Sequence, residues 1–260
     1  MKTMAFPDPA PGKSERARAR LLEAGLEVFG RRGWEGATVR EIARRAGQNV
    51  AAIAYYFGSK QKLYRAVMEG IMREMRRRMA DVFAEISALQ NDREPSAEEA
   101  GRLLRRFLCE VYLRLLSRNE SVAIGRLVVR EQLQPTAGFD TLYVQGFQPL
   151  HEALSFLVGT ALDCDPKARE TIIRTNSIMG QVYFFMMSRE AILRRLGWKS
   201  LEGDRAELVG GILSEHIDTL LAGLRSRPRG LENGANGRAV GGRGAARAGA
   251  VPRGGLRRTA

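Results

Sequence analysis

Side chains suited to catalysis or metal binding are few and widely separated in this chain of 260 residues. The two histidines, His151 and His216, fall in no HExxH or similar spacing, and the two cysteines, Cys109 and Cys164, form no CxxC pair. GxSxG, GxxxxGK[ST] and dinucleotide-binding fingerprints are also missing from the sequence. We therefore expect no enzyme activity, no metal site and no cofactor.

Charged side chains indicate another kind of chemistry, because the net charge of +13 lies at the two ends of the chain. Residues 1–60 hold eleven basic and six acidic residues, residues 225–260 hold nine arginines and one glutamate, and the span between them is neutral. An excess of positive charge favours a polyanionic partner such as nucleic acid. The Gly- and Arg-rich composition of 225–260 predicts a disordered basic tail. That tail is either a solvated extension or a second contact to nucleic acid that ignores base sequence.

Apolar residues recur at helical spacing from residue 14 to residue 224, and strand-like alternation does not occur. The fold class is therefore predicted to be all-α, after a flexible N-terminus over 1–13. Thr38, Asn49 and Ser59 are suitable N-cap residues for three successive helices, and Gly33 and Gly47 suit the ends of the first two. Longer helices are expected over 60–89, 96–118, 120–133, 139–162, 167–195 and 205–224, with a kink at Pro149.

Two short helices joined by a turn at Gly47, within the basic first sixty residues, predict a helix-turn-helix DNA-binding domain over 14–60. Ile53 and Phe57 form the core stripe of the second short helix. Side chains opposite that stripe are expected to meet the major groove, and residues at neighbouring helix starts are expected to meet phosphates. The candidates from this pattern are Asn49, Ala51, Ala52, Tyr55, Tyr56, Arg40, Thr38 and Lys60.

Residues 17–69, with the blocks GWEGATVREIA and YYFGSKQKLY, resemble the DNA-binding domain of the tetracycline-repressor (TetR) family. The stretch VVREQLQPTAGFDTLYVQGFQPLHEAL at 128–154 is similar to the C-terminal domain of its CecR-like subgroup. The resemblance implies an all-helical homodimer that binds a near-palindromic operator and releases it when a small molecule occupies the C-terminal domain. We accordingly expect a ligand-responsive transcriptional regulator, and a repressor rather than an activator.

Carried over by position, the resemblance implies base-facing roles for Val50, Ala51, Ala52 and Tyr55, and phosphate contacts for Thr38, Tyr56 and Lys60. Apolar periodicity instead places Val50 on the core face of its helix, so periodicity and resemblance conflict at this residue. The family's usual polar backbone contact is replaced here by Ala54, and Gln48 replaces the apolar residue usual after the turn glycine.

The span 61–224 is predicted to be a helical bundle for effector binding and dimerisation. Mixed apolar and polar side chains suggest an effector pocket, although a Met and aromatic stripe is also typical of a core. Arg126 and Arg130 suit an acidic effector, or alternatively ion pairs with carboxylates such as Glu131. The wide apolar face of the last helix favours a dimer interface. The pocket candidates are Arg126, Arg130, Tyr143, Phe147, His151, Tyr183, Phe184 and Met187.

Membrane spanning is not expected, because no run approaches the roughly 18 apolar residues that it requires. The N-terminus lacks an apolar targeting segment, which predicts a cytoplasmic protein. The expected partners are a double-stranded DNA operator, a second copy of the chain and an unidentified small molecule. The alternative function is a non-specific nucleic-acid binder that uses both basic ends.

Overall fold

A computed structural model describes residues 12–116 and 122–226 of the chain. The described residues contain helices and no strand, which confirms the all-α prediction. The predicted tail lies outside the described residues from residue 227 onward, as does the predicted N-terminal segment up to residue 11. The helices are α1 (Lys13–Gly36), α2 (Val39–Arg45), α3 (Val50–Phe57), α4 (Lys60–Arg78), α5 (Ala80–Gln90), α6 (Ala97–Glu110), α7 (Val122–Leu133), α8 (Phe139–Leu142), α9 (Gln148–Leu162), α10 (Arg169–Met187), α11 (Arg189–Leu196) and α12 (Asp204–Arg225), with π-helical segments at Val111–Leu116 and Tyr143–Phe147.

Helices α2, α3 and α4 begin at the predicted caps. The side chain of Thr38 accepts a hydrogen bond from the backbone of Glu41 at 3.2 Å, and Asn49 and Ser59 accept equivalent bonds at the starts of α3 and α4. The capping box at Thr38 is only half formed, because the Glu41 carboxylate pairs with Arg32 at 2.8 Å. These caps fix the starts of the three helices that follow α1.

Gly33 interrupts α1 with φ 72° and ψ −177°. Its positive φ agrees with the predicted glycine stop, but its ψ is extended rather than left-handed helical, so this conformation is open essentially to glycine alone. The chain then directs Trp34 back onto the core, where its ring lies 5.1 Å from that of Tyr64. The two segments of α1 therefore both pack on α4.

Helix α4 connects the two hydrophobic clusters of the protein. Residues in its first half, such as Leu63 and Val67, pack with α1, α2 and α3, whereas Met79 at its end packs with α5, α6, α9, α10 and α12. Met75 contacts both clusters. A displacement of α4 therefore changes the packing of both hydrophobic clusters.

Two of the predicted long helices are wrong as continuous elements. The predicted helix 60–89 breaks at Met79, and the predicted helix 167–195 breaks at Ser188. Neither break lies at a proline or a glycine, the residues that usually indicate the end of a helix in a sequence. At the first break the Arg114 side chain donates a hydrogen bond to the Arg78 carbonyl at 2.9 Å, which satisfies a backbone group near the break. Long-range packing therefore decides this boundary.

A π-helical segment, Tyr143–Phe147, lies directly before α9, the helix in which Pro149 was predicted to cause a kink. Proline has no N–H to donate to the carbonyl four residues earlier, which belongs to Gln145. That carbonyl instead accepts a hydrogen bond from Arg76 of α4 at 2.6 Å. This hydrogen bond is a direct contact between α4 and the π-helical segment.

Candidate nucleic-acid interface and ligand cavity

One face of α3 is uncovered, and it carries four of the nine side chains predicted to meet DNA. Ile53 and Phe57 point into the core, whereas Tyr55 is 81% exposed. Tyr55 also lies edge-on to Tyr56, with ring centroids 4.9 Å apart. The exposed residues on this face are Asn49, Val50, Ala51, Ala54 and Tyr55, while the predicted contact Ala52 is half-buried.

Val50 is 40% exposed, which resolves its conflict in favour of the outward position. The first turn of α3 projects beyond the core. Val50 is therefore exposed even though the helical repeat places it on the same face as the buried Ile53. Ala54, which the sequence marked only as a lost phosphate contact, is exposed on the same face. Its methyl group leaves the surface beside Tyr55 flat and open to a close approach.

Groups suited to phosphate surround this face. The Thr38 hydroxyl oxygen accepts a bond from the α2 backbone, which leaves its hydrogen available to donate to a phosphate oxygen. Arg40 is exposed on α2, and Tyr56 is half-buried with its hydroxyl receiving a bond from Ser14 at 3.3 Å. The ammonium of Lys60 lies 4.4 Å from the centre of the Trp34 ring. Backbone N–H groups at the start of α2 and α4 add positive potential.

A buried hydrogen-bonded cluster joins this N-terminal region to the helices beyond α6. Tyr64 of α4 donates to the Glu131 carboxylate of α7 at 2.5 Å, and the Thr136 backbone and hydroxyl donate to the same carboxylate at 3.0 and 2.7 Å. Burial, followed by the bond to Glu131, raises the pKa of Tyr64 well above its usual range. Glu131 thus ties α4 to α7 and to the turn before α8.

A cavity of about 510 Å³ lies among α4, α5, α6, α7, α9, α10 and the two π-helical segments. Five methionines and four aromatic rings supply most of its apolar wall. That volume falls within the range usual for small-molecule sites. The lining residues are Met72, Glu74, Met75, Arg76, Arg78, Met79, Phe83, Ile86, Ser87, Gln90, Phe107, Val111, Leu115, Ile124, Gly125, Val128, Gln145, Gly146, Phe147, Pro149, Leu150, Glu152, Ala153, Met179, Tyr183 and Met186.

The charged groups of the cavity differ in how they are neutralised. The buried Glu74 carboxylate receives hydrogen bonds from Arg77 and Arg78 at 2.7 Å, and the bond from Arg77 chiefly lowers its pKa. Arg76 donates to the Gln145 carbonyl and, among the described residues, has no carboxylate within 4 Å. Arg76 is therefore a guanidinium at the cavity wall whose charge is not balanced by an ion pair.

Two of the eight predicted pocket residues, Phe147 and Tyr183, line this cavity. Burial raises the pKa of Tyr183 to about 12. The other six lie outside the lining: Arg126, Arg130, Tyr143, His151, Phe184 and Met187.

The reasons for these placements are geometric. Ile124, Gly125 and Val128 turn one face of α7 to the cavity, so Arg126 and Arg130 occupy its exposed side. The Arg130 guanidinium lies beside Gly33 of α1. Neither arginine is positioned to hold a ligand in this cavity.

The remaining four pack beside the cavity or face outward. His151 lies edge-on to Phe147 at 6.4 Å, and burial lowers its pKa. Tyr143 stacks on Phe139 at 6.1 Å and is exposed on its outer side. Phe184 and Met187 are 58% and 61% exposed on the outer face of α10.

The contribution of α4 to the cavity was not predicted. Met72, Met75 and Met79 recur at spacings of three and four residues, which places them along one face of the helix. That signal was present in the sequence. The spacing of the methionines alone does not indicate a cavity, because such a stripe is equally typical of a core. The cavity is evident only when the other helices are in place around α4.

An uncovered apolar surface extends over two of the last helices. On α10, Ile173, Phe184 and Met187 are exposed along a face that also contains Gly180, and on α12 Leu208 is 54% exposed near Ile212. A Cβ atom at Gly180 or at Gly211 of α12 would meet nothing within 4 Å, whereas one at Gly210 would contact Leu113 of the same chain. Surfaces of this kind mark contact sites for other molecules.

Within the described ranges there is no cluster of three or more side chains able to hold a metal ion. The same part of the chain contains no helix with the length and apolarity that a membrane crossing requires.

Two family models match the sequence in consecutive regions. Residues 21–67 match the model described as bacterial regulatory proteins of the tetR family. Residues 100–224 match the C-terminal domain of the HTH-type transcriptional dual regulator CecR. The first region contains α2 and α3, and the second runs from α6 to the end of α12.

Individual relatives agree with both matches. The chain is similar to the HTH-type transcriptional dual regulator CecR of Shigella flexneri, with 35% identity over 215 residues that cover 83% of this chain and 96% of the relative. It is also similar to the HTH-type transcriptional repressor NicS of Pseudomonas putida, with 30% identity over 39% of this chain and 44% of that protein. Among solved structures, AibR in complex with isovaleryl coenzyme A and operator DNA has a TM-score of 0.54 at 18% identity, covering 77% of this chain and 97% of AibR.

Proposed function

Because the chain belongs to the TetR family of DNA-binding transcription regulators and carries the CecR C-terminal domain, we propose that it is a ligand-responsive repressor. In this proposal a homodimer binds a near-palindromic operator through two copies of α3, and a small molecule in the cavity causes release. Proteins of this family are regulators rather than enzymes. We also propose that it acts in the cytoplasm, where its DNA partner lies.

The exposed face of α3 is the observation that carries the DNA-binding part of the proposal. Its side chains are small or aromatic, and α3 contains no charged residue. Base recognition therefore relies on contacts of Ala51 and Tyr55 with thymine methyl groups and on the Asn49 amide, while Thr38 and Lys60 hold the phosphates. A surface with so few polar groups also favours the reading of DNA shape.

Dimerisation is proposed through the uncovered apolar surface of α10 and α12. Two helix-turn-helix units read adjacent half-sites only when they are held about 34 Å apart, which requires a partner subunit. In the proposed dimer, two copies of the chain are related by a two-fold axis, and each uses the same patch of its surface. Phe184, Met187 and Leu208 of one copy are then covered by the other. Phe184 and Met187 are thus proposed as interface residues rather than effector contacts.

The location of the cavity supports an effector role. Its wall includes Met72 and Met75 of α4 and Met79 at the end of that helix, and the first half of α4 packs against α1, α2 and α3. A ligand that moves α4 in the cavity therefore also moves the base of the DNA-binding surface. AibR, a protein of this fold, was solved in complex with isovaleryl coenzyme A and operator DNA, so the fold accommodates both a small molecule and DNA.

Footprinting on the DNA that flanks the gene for this protein tests the proposal. A dimeric regulator protects two half-sites related by a near-palindrome, and it retains them in the presence of excess unrelated duplex, since specific sites are favoured by about 10³-fold or more. The alternative, a non-specific nucleic-acid binder that uses both basic ends, gives no discrete footprint and loses the DNA to competitor.

A promoter fusion determines the direction of regulation. CecR of Shigella flexneri is named a dual regulator, so the fusion must report both increases and decreases in transcription. Repression predicts higher reporter activity when the gene is deleted. Lower activity in the deletion strain would contradict the repressor assignment at that promoter while leaving operator binding intact.

A further inference from the structure

The most informative polar group in the cavity is the guanidinium of Arg76. One of its N–H groups donates to the Gln145 carbonyl, to which proline at position 149 cannot donate a backbone hydrogen bond. An arginine side chain has five N–H donors, so this bond orients the group and leaves further donors for a ligand. Its charge is not matched by a carboxylate within 4 Å among the described residues.

The other charged groups at the cavity do not neutralise Arg76. Glu74 is occupied by Arg77 and Arg78, and Glu152 is exposed and receives a bond from Gln148 at 3.0 Å. The lining itself carries two guanidinium groups and two carboxylates, and Arg77 pairs with Glu74 from outside the lining. Arg76 is therefore the guanidinium of the lining that is not held in an ion pair among the described residues. Arg76 is exposed at the edge of this largely apolar wall, and a hydrogen bond from its guanidinium to an anionic group is about twice as strong as one between neutral groups.

From this arrangement we infer that the effector is an amphiphilic anion. Its apolar body occupies the space between the methionines and aromatic rings, and its carboxylate, sulfonate or phosphate binds Arg76. The unbranched, flexible methionine side chains adapt to bodies of different shape, so the anionic group provides the common feature of the ligand class. The inference rests on the proposed effector role of the cavity and identifies the chemistry that the cavity selects.

The position of Arg76 also connects the ligand to α4. The adjacent residue pair Gln145 and Gly146 contacts α4 twice, through the Arg76 guanidinium and through Met72, whose sulfur occupies the space where a Cβ of Gly146 would be. An anion bound to the remaining donors of Arg76 shares this guanidinium with the Gln145 carbonyl. Binding is thereby linked to the helix that carries the DNA-binding surface.

Two fluorescent probes that share one apolar body test the inference with the full-length protein. Anilinonaphthalene sulfonate carries an anion, and phenylnaphthylamine is the same body without it. We expect the wild type to bind the sulfonate more tightly than phenylnaphthylamine. Arg76→Gln is expected to lower the affinity for the sulfonate by about 10- to 100-fold, which corresponds to the loss of one hydrogen bond to a charged group. Phenylnaphthylamine affinity should stay the same in both proteins.

Two matched variants and one stability measurement complete the design. Arg73→Gln removes an exposed arginine from the same helix without touching the cavity lining, and it should leave both affinities unchanged. Glu152→Gln should not weaken the sulfonate. Thermal unfolding by circular dichroism must be similar for all variants, because partly unfolded proteins also bind such dyes.

The possible results separate the inference from the proposed function. Equal affinity for the two probes in the wild type, or a sulfonate preference that survives Arg76→Gln, overturns the inference. Operator binding is measured separately. If the protein protects its operator but its affinity for the sulfonate does not depend on Arg76, only this inference is overturned. If the affinity for the sulfonate depends on Arg76 but the protein gives no operator footprint, the proposed regulatory function is overturned instead.

Discussion

The Tyr64 hydroxyl group offers the sharpest test of how the DNA-binding region is joined to the rest of the protein. It donates to the buried Glu131 carboxylate at 2.5 Å, and Tyr64 is only 2% exposed. Tyr64→Phe removes this donor and keeps the ring that packs against Phe29 and Trp34. Two hydrogen bonds from Thr136 remain on Glu131.

The expected cost follows from the burial of both partners. A hydrogen bond to a charged group contributes about 1.5–3 kcal/mol, and the carboxylate left with fewer donors has no access to water. For a domain of this size 1 kcal/mol shifts the melting temperature by about 2–4 °C. Tyr64→Phe is therefore expected to lower the melting temperature by about 3–12 °C.

Circular dichroism melts at a fixed protein concentration measure this shift, because the stability of a dimer depends on concentration. Tyr143→Phe serves as the matched control, since Tyr143 is exposed and its ring stacks on Phe139. A surface change of this kind stays within about 0.5 kcal/mol. A Tyr64→Phe melting temperature within 1 °C of the wild type, or as close to it as that of the control, would refute the reasoning.

Three further predictions concern the dimer, the tail and pH. Phe184→Asp places a charge in the proposed interface and is expected to yield a folded monomer by light scattering, whereas a persistent dimer would place the interface elsewhere. Removal of residues 226–260 should leave the operator footprint unchanged, because recognition is assigned to α3; a smaller salt dependence of the truncated protein would identify a tail contact with DNA, and an equal one a solvated extension. Burial lowers the pKa of His151 below its ordinary 6.5, so the unfolded chain binds a proton that the folded chain resists, and the free energy of unfolding should fall as pH decreases below about 6.5. His151→Gln should reduce that dependence in urea titrations, and an unchanged pH profile would contradict it.

Local sequence signals predicted the N-terminal region well. Thr38, Asn49 and Ser59 cap helices as expected, because side-chain caps involve only neighbouring residues. The core positions of Ile53 and Phe57 follow from helical periodicity in the same way. Val50 was ambiguous because periodicity describes the interior of a helix better than its first turn.

The C-terminal region was predicted less completely, because its cavity depends on contacts between distant segments. Phe147 and Tyr183 were found from composition, but Arg126 and Arg130 face away from the cavity. The position of Arg76 at the cavity was not predicted, because it depends on a hydrogen bond to a carbonyl 69 residues away. The breaks at Met79 and Ser188 lie at neither a proline nor a glycine, and at Met79 a hydrogen bond from the distant Arg114 satisfies the backbone near the break.

Titration of operator DNA with wild-type protein and Tyr55→Ala tests the central claim most directly. Tyr55 is the most exposed large side chain of the proposed recognition face, and its loss is expected to cost about 1–3 kcal/mol, or roughly 5- to 150-fold in affinity, while the dimer stays intact. Tyr143→Ala removes an exposed tyrosine far along the chain and should bind operator as the wild type does. Unchanged operator affinity for Tyr55→Ala, with the dimer intact, would contradict the assignment of α3 as the recognition helix.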